Sequence, residues 1–141
     1  SYNAAGGKVG KWQYYTYASF RKNNGYRENS ETDYDAQGVM LRYDATEKLA
    51  FKAEFSRSNY LYRIPGPLTD SMFAADPTSA TRSRNYFNPE IYVPSLGAEW
   101  RLNNNTRMQL TLSAVLGERR SVQFDRPATV PDAIDPATGQ Y

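Results

Sequence analysis

Polar and apolar side chains alternate with a period of two over residues 106–117. The apolar face of this segment carries Met108, Leu110, Leu112, Ala114 and Leu116. The opposite face carries Arg107, Gln109, Thr111 and Ser113, with Val115 as its single apolar member. A period of two is typical of a β-strand with one apolar and one polar face, and an α-helix would not sort the residues in this way.

The same kind of pattern recurs along the chain and predicts five strands. They lie near residues 8–21, 36–43, 48–58, 95–102 and 106–117. Polar, aperiodic segments separate them as long loops at 22–35, 59–94 and 118–141, and as short turns at 44–48 and 103–105. Long and short connections therefore alternate along the chain.

In an up-and-down antiparallel sheet, this alternation places every long loop at one end of the strands and every short turn at the other. Outer-membrane barrels have this asymmetry, with long extracellular loops and short periplasmic turns. We therefore predict an all-β fold of antiparallel up-and-down strands that form part of a transmembrane β-barrel.

The two faces of the predicted strands fit a barrel wall with a wet lumen and a lipid-facing exterior. The charged residues of the polar faces are Arg42, Lys52, Glu54, Glu99, Arg101 and Arg107. The aromatic residues of the apolar faces are Trp12, Tyr14, Phe20, Tyr43, Phe55 and Trp100, and most lie near strand ends, where aromatic girdles occur. The alternative is that these aromatic side chains form the core of a soluble or surface-exposed β-sheet module that binds carbohydrate or protein.

Composition narrows the chemistry that the chain can perform. The 141 residues include no Cys and no His, which excludes thiol and imidazole catalysis, the usual zinc sites and disulfides. We predict that the protein is not an enzyme. The net charge of +2, with no basic run longer than two residues, argues against a nucleic-acid partner.

Three segments resemble TonB-dependent outer-membrane receptors, most closely those of the ferric dicitrate type. They are GYRENSETDYDAQG at 25–38, YRIPGPLTDSMFAADPTSATRSRNYFNPEIYVPSL at 62–96 and SAVLGERRSVQFD at 113–125. Within the second segment, IPGPLTD and RSRNYF are the most specific stretches. The resemblance covers most of the 141 residues.

This resemblance implies uptake of an anionic ferric chelate, such as ferric citrate or a similar siderophore, across the outer membrane of a Gram-negative bacterium. The implied partners are the chelate, the lipid bilayer with its lipopolysaccharide, and the TonB complex, which acts through an N-terminal region absent here. Iron enters only as part of the transported chelate, and no cofactor is expected. The chain has no plug domain, and five strands cannot close a barrel, so we expect residues 1–141 to be a segment of a receptor barrel domain.

Arginine suits an anionic chelate because its planar fork pairs with carboxylates and stays charged when partly buried. The predicted loops and upper strand ends offer Arg21, Arg27, Arg63, Arg82, Arg84, Arg119 and Arg120. Arg82 and Arg84 are the first candidates for substrate binding, because their Arg-Ser-Arg spacing places both side chains on one side of an extended segment. Arg21, Arg27 and Arg63 follow. The alternative for each arginine is solvation of a loop or pairing with an acidic neighbour.

Tyrosines provide a second kind of candidate contact. Tyr62 and Tyr86, with Tyr26, lie in the predicted loops and are candidates for lining a vestibule, with Tyr86 the tyrosine predicted to bind substrate. The alternative is that they attach the loops to the barrel rim.

An acidic cluster offers an alternative chemistry in the first long loop. Glu28, Glu31, Asp33 and Asp35 fall within eight residues and carry oxygen atoms that calcium prefers. Their spacing lacks the glycine and the ordered ligand series of an EF-hand loop. We therefore predict no metal site.

Overall fold

The computed structural model describes residues 1–130 and 132. It contains seven β-strands and a short helix in these residues. The elements are β1 (Tyr2–Val9), β2 (Trp12–Asn23), β3 (Thr32–Asp44), β4 (Leu49–Arg63), α1 (Asp70–Ala75), β5 (Tyr86–Arg101), β6 (Arg107–Ser113) and β7 (Leu116–Val122).

The strands form an antiparallel up-and-down sheet in the order β1-β2-β3-β4-β5-β6, and β7 also pairs with β5. Across the described part of the chain, the sheet is not closed into a barrel. The prediction of antiparallel up-and-down strands is therefore confirmed, in a mostly-β fold that also contains α1. The predicted number of five strands is wrong, because the sheet has seven.

The strand predicted at 8–21 is in fact a hairpin of β1 and β2. Val9 pairs with Trp12, which leaves a two-residue turn at 10–11, and Gly10 adopts a φ of 57°. A positive φ at the first turn residue is typical of the tight turns that join antiparallel strands, and glycine adopts it without strain. The alternation did not reveal β1 because its residues are mostly small.

Small residues in β1 leave room for the tyrosine rings of β2. A Cβ at Gly7 would lie 3.0 Å from the Tyr14 hydroxyl oxygen, and one at Gly6 would lie 3.1 Å from the Tyr15 ring. On the same hairpin, the Tyr2 and Tyr15 hydroxyls are joined by a 2.7 Å hydrogen bond. Cross-strand side-chain contacts of this kind stabilise β1, although it has no apolar face.

The strand predicted at 106–117 is interrupted after Ser113. Both β6 and β7 pair with β5, and the Ala114 N–H donates to the Pro94 carbonyl at 3.1 Å between the two strands. This interruption accounts for Val115, the apolar exception in the sequence pattern. After it, Gly117 lies so close to β5 that an added Cβ would be 2.5 Å from the Glu90 carbonyl oxygen.

Strands β4 and β5 are longer than predicted. β4 continues to Arg63 and β5 begins at Tyr86, so the predicted loop 59–94 shrinks to 64–85. In the parts of β4 and β5 that the prediction missed, polar and aromatic residues occur on both faces and obscure the alternation. Pro89 and Pro94 also argued against a strand, because proline is normally disfavoured inside one.

The other two predicted loops also shrink. The loop 22–35 becomes 24–31, and β7 occupies the start of 118–141. Residues 131 and 133–141 of that last loop lie outside the described residues.

The helix α1 lies within the connection 64–85. Thr69 precedes it, and the Thr69 hydroxyl accepts a hydrogen bond of 3.2 Å from the Met72 N–H. Asp70 follows in the first turn, where a negative charge is favoured by the helix dipole. In the part of the chain that the structure describes, no helix is long and apolar enough to cross a membrane.

The chain divides into two compact units. Unit 1 comprises Ser1–Phe20, Tyr34–Asn59 and Glu90–Glu118. Unit 2 comprises Arg21–Asp33, Tyr60–Pro89 and Arg119–Tyr141. Unit 1 contains the short turns at 10–11, 45–48 and 102–106, whereas unit 2 contains the long connections 24–31 and 64–85.

In unit 1, one face of the sheet is apolar and exposed. We call it the apolar face, and it comprises Trp12, Tyr14, Val39, Leu41, Phe51, Phe55, Leu96, Trp100, Met108, Leu110 and Leu112. The β5–β6 register places Leu96 opposite Leu112 and Trp100 opposite Met108, so apolar side chains adjoin across strands. Leu96 and Leu112 are each 62% exposed.

Few apolar side chains are buried. Among the described residues, the buried hydrophobic side chains are those of Ala36 and Ala50 alone. A water-soluble domain of this size normally excludes water from a much larger apolar core. The apolar side chains of this chain are therefore displayed on a surface and not gathered inside.

Candidate functional site

The residues that the sequence predicts to bind substrate all belong to unit 2. They are Arg21, Arg27, Arg63, Arg82, Arg84 and Tyr86. Unit 2 consists of the long connections and the strand ends that adjoin them.

Arg82 is the most buried of these residues, with 1% of its surface exposed. Its guanidinium donates to five backbone carbonyls, those of Thr81, Phe124, Arg126, Pro127 and Val130. Its Cζ atom also lies 5.0 Å from the centre of the Phe124 ring. Carbonyl dipoles and a ring face thus replace the water that would otherwise solvate this permanent cation. In this arrangement Arg82 joins two connections, and its contact with a ligand stays a prediction.

Arg84 binds the same part of the chain. Its Nη2 atom donates to the Asp132 carbonyl, and the Ser83 N–H donates to the Asp132 carboxylate at 2.6 Å. Both arginines of the Arg-Ser-Arg sequence therefore reach the segment 124–132. Burial would raise the pKa of the Asp132 carboxyl, but the hydrogen bonds from Ser83 and the proximity of Arg84 outweigh it and hold this pKa below its usual value.

Arg27 is also engaged by backbone carbonyls. Its Nη1 atom donates to Gly66 at 2.8 Å, and its Nε and Nη2 atoms donate to Ser79 at 3.0 and 2.9 Å. The Arg27 side chain thus links the connection 24–31 to Gly66, which precedes α1, and to Ser79, which follows it. A ligand carboxylate would have to compete with these carbonyls.

Arg63 and Arg21 are more exposed. The Arg63 Nε atom lies 3.9 Å from the Glu31 carboxylate, and its Nη1 atom lies 3.5 Å from the Asn29 side-chain oxygen. Both distances are long, so these contacts are weak. Arg21, on β2, is exposed and also has an interaction partner.

An aromatic group forms a second feature of unit 2. We call it the ring cluster, and it comprises Tyr60, Tyr62, Phe87 and Arg119. The Tyr60 ring lies 6.0 Å from the Tyr62 ring, edge to face, and 6.0 Å from the Phe87 ring. The Arg119 guanidinium lies 5.6 Å from the centre of the Phe87 ring. Tyr62 is 53% exposed, and Arg119 is exposed as well.

Sequence reasoning named Tyr62 and Arg119 but not Tyr60 or Phe87 as parts of a site. It instead placed Tyr86 there. Tyr86 and Phe87 are neighbours on β5, so their side chains point to opposite faces, and the ring contacts identify Phe87 as the one on the side of Tyr60. Recognition of 86–101 as a strand would have allowed this assignment, but the prolines in it hid the period.

Unit 1 contains a polar cluster that the sequence analysis did not predict. Arg57 donates to the carboxylates of Asp35 and Glu90, the latter at 2.7 Å, and the Tyr92 hydroxyl donates to Glu90 at 2.7 Å. Arg57 follows Phe55 in the alternation of β4, and the Tyr92 ring lies 6.1 Å from the Phe55 ring. This cluster therefore adjoins the apolar face and limits it.

The opposite, polar face of unit 1 carries a second charge network. Arg42 donates to Asp44 at 2.9 Å and to Glu99 at 3.0 Å, and Gln13 donates to Asp44 at 3.1 Å. These ion pairs are partly exposed, so each contributes little to stability. They lie beside an open cleft of about 340 Å³ that Lys48, Arg101 and Arg107 also line.

The acidic residues considered for calcium do not converge. Asp33 lies 3.8 Å from Lys22, Glu31 lies 3.9 Å from Arg63, and Asp35 contacts Arg57. In the part of the chain that the structure describes, no three acidic side chains come together as a metal site would require.

Comparisons of the chain with protein-family models, with curated proteins and with solved structures find no match.

Proposed function

We propose that this chain forms part of a transmembrane β-barrel of the TonB-dependent receptor kind in a Gram-negative outer membrane. The barrel takes up an anionic ferric chelate, ferric citrate or a similar siderophore, with energy supplied through TonB. The chain acts in transport and catalyses no reaction. Its partners are the chelate, the bilayer with its lipopolysaccharide, and the TonB complex.

The exposed apolar face of unit 1 is the observation that carries this proposal. Burial of an aliphatic or aromatic side chain is worth about 1.5–3 kcal/mol. Covering the partly exposed side chains of this face would thus gain on the order of 10 kcal/mol, as much as the total stability of a typical domain. Lipid provides this cover in a barrel wall.

Strand length supports the same proposal. A strand needs roughly 9–11 residues to cross a bilayer. Strands β2, β3, β4 and β5 have 12, 13, 15 and 16 residues. The short turns of unit 1 and the long connections of unit 2 alternate along the chain, which is the asymmetry of outer-membrane barrels.

Adjacent residues on β6 provide the test. Leu110 lies on the apolar face, and Thr111 occupies the opposite face of the same strand. Spin labels are attached to Leu110→Cys and Thr111→Cys variants of the full-length protein in native membranes. We expect the label at 110 to be accessible to oxygen and shielded from a water-soluble nickel chelate, and the label at 111 to be accessible to the nickel chelate.

Equal access of the nickel chelate to both labels would overturn the membrane proposal. A soluble or surface-exposed module that binds carbohydrate or protein would then be the better account. Transport itself is tested by uptake of radiolabelled iron as ferric citrate into cells with and without this protein. Equal uptake with and without the protein, for every chelate tested, would overturn the transport proposal.

A further inference from the structure

Two like charges lie directly opposite each other where β5 ends and β6 begins. Arg101 is the last residue of β5, Arg107 is the first residue of β6, and the register pairs them across the two strands. We call these two residues the arginine pair. The side chains of directly opposite residues lie on the same face of a sheet, where two like charges are destabilising. An anion between the two guanidinium groups would relieve this repulsion.

The cleft beside the arginine pair has more cations than carboxylates. Its charged lining residues are the cations Arg42, Lys48, Arg101 and Arg107 and the carboxylates Asp44, Glu47 and Glu99. Arg42 already pairs with Asp44 and Glu99. The other cations of the cleft therefore face the carboxylate of Glu47 alone.

These other cations are exposed and largely unengaged. Arg101 donates from Nη2 to the Glu47 carbonyl at 2.8 Å, which occupies one of its nitrogens. Among the residues that the structure describes, the Lys48 ammonium and the Arg107 guanidinium have no hydrogen-bond or ion-pair partner. Guanidinium groups bind phosphate through two parallel hydrogen bonds, so the arginine pair has the donors that a phosphate group requires.

The apolar face reaches the same end of the sheet. Trp100 and Met108 adjoin the arginine pair in sequence, lie opposite each other on β5 and β6, and are 49% and 56% exposed. An apolar pair and a basic pair are thus one residue apart on the two faces. Arginine side chains extend from such positions towards lipid headgroups, and tryptophan is enriched at the same interface. This combination fits an amphiphile with a phosphate group better than a free anion.

We propose that the arginine pair, together with Lys48, binds the phosphate group of an anionic phospholipid such as phosphatidylglycerol. This inference rests on the proposed function, because only a barrel wall in a membrane has phospholipid at this end of the sheet. It specifies the lipid partner on the side of the short turns. The two guanidinium groups donate to the phosphate oxygens, Lys48 adds electrostatic attraction, and the acyl chains lie against Trp100 and Met108.

The experiment measures which lipid the full-length protein retains in detergent. The protein is incubated with equal amounts of phosphatidylglycerol and phosphatidylcholine, and native mass spectrometry counts the bound molecules of each lipid. The variants are Arg101→Gln, Arg107→Gln and Arg107→Glu. Lys52→Gln is the matched control, because Lys52 is another cation of the polar face that pairs with Glu54 at 2.8 Å and does not line the cleft.

We expect the unchanged protein to retain phosphatidylglycerol in preference to phosphatidylcholine. Arg101→Gln and Arg107→Gln should each reduce this preference about fivefold, which is the contribution of one cation near an anionic lipid surface. Lys52→Gln should keep the preference of the unchanged protein. An equal reduction in Lys52→Gln would show a general effect of net charge and would overturn the inference.

The variant Arg107→Glu separates a binding role from a structural one. A glutamate opposite Arg101 forms a cross-strand ion pair, so the melting temperature in phosphatidylcholine should stay the same or rise while the preference for phosphatidylglycerol is lost. Circular dichroism measures this melting temperature. A lower melting temperature in both Arg107→Gln and Arg107→Glu would show that the arginine pair is structural and would overturn the inference.

Competition with a soluble phosphate identifies the source of the anion. Glycerol phosphate has the phosphate group without acyl chains, so it should displace phosphatidylglycerol only in large excess. Displacement by an amount equal to that of the lipid would indicate a soluble anion and would overturn the inference.

Other outcomes separate this inference from the membrane proposal. Equal retention of both lipids, with the label at 110 still shielded from the nickel chelate, would overturn the inference and leave the membrane proposal intact. Absence of retained lipid, together with a label at 110 that is accessible to the nickel chelate, would overturn both.

Discussion

The two units of this chain use their charged side chains in opposite ways. In unit 1, Arg57 and Arg42 pair with carboxylates on other strands of the sheet, namely those of Glu90 and Glu99, and the Arg101 guanidinium donates to the Glu47 carbonyl in a turn. In unit 2, arginines pair mainly with backbone carbonyls, as Arg82 and Arg27 do. In unit 1 the backbone groups of the strands hydrogen-bond to one another, so charged side chains beside these strands pair with other side chains. The long connections of unit 2 lack a ladder, and arginine donors satisfy carbonyls that no strand partner reaches.

This difference changes the interpretation of the arginines in unit 2. From the sequence alone, an arginine-rich connection is a candidate site for an anionic ligand. The contacts show that Arg27, Arg82 and Arg84 hold the connections together, whereas Arg119 and Tyr62 are exposed. The residues that order a binding region and the residues that are available to a ligand are thus different residues.

Replacement of Arg82 should have the largest effect. Arg82→Leu leaves five part-buried carbonyls without their donor, and a hydrogen bond to a charged group contributes about 1.5–3 kcal/mol. We expect the free energy of local opening of residues 64–85 and 123–130 to fall by about 3 kcal/mol or more, while the strands of unit 1 keep their protection. Hydrogen–deuterium exchange measures both.

Arg126→Leu is the matched control for this variant, since Arg126 lies in the same segment with an exposed side chain. It should leave exchange unchanged. If exchange is unchanged in Arg82→Leu as well, Arg82 is not the link between the connections. The contrast between the units would then fail, because unit 2 would not depend on hydrogen bonds from arginine to backbone carbonyls.

Replacement of Gly117 should have a smaller effect and should act on unit 1. In Gly117→Ala the new methyl group would lie 2.5 Å from the Glu90 carbonyl oxygen, and a backbone atom cannot rotate away. We expect a loss of about 1–3 kcal/mol, typical of overpacking. The midpoint temperature of unfolding of the full-length protein in detergent, followed by circular dichroism, measures this loss.

Gly97→Ala is the control for overpacking. A methyl group at Gly97 would have its nearest contact at 3.5 Å, an ordinary van der Waals distance. This variant should melt close to the unchanged protein. Equal melting of both variants would show that β7 can move away from β5 at little cost.

Acidification should have the smallest effect and should act on unit 2. The pKa of Asp132 is lower than usual, so its stabilising effect is present above the ordinary aspartate pKa and is lost as the pH falls through the lower folded value. We expect the exchange protection of the Ser83 N–H to be constant from pH 7 to 5 and to fall only below about pH 4.

The variant Asp132→Asn removes the titrating group. Its Ser83 N–H should be less protected at pH 7 and should show no further acid-dependent loss. A loss of protection that begins near pH 6 in the unchanged protein would point to another group, since this carboxylate stays charged there.

Much of the fold could be predicted from the alternation alone. The period of two located most of β2 and β3, the first part of β4, the last part of β5 and all of β6, and it assigned Leu110 and Thr111 to opposite faces. It failed at β1, where small residues carry no contrast between faces, and at the start of β5, where Pro89 and Pro94 interrupt the pattern. The strand ends were therefore predicted too short and the loop 59–94 too long.

The candidate site was less predictable. The sequence indicated which segments carry arginine and tyrosine, and these segments do belong to unit 2. It could not indicate that Arg82 would be buried by carbonyls distant in the sequence, or that Tyr60, Phe87 and Arg119 would meet.

The sequence by itself determined that this chain forms two-faced strands, because side-chain direction alternates in every strand whatever its neighbours. Only the tertiary structure decided which charges are satisfied and which groups remain available. Hydrogen bonds from Arg82 and ring contacts of Tyr60 join residues far apart in the chain, and no local period records such pairs.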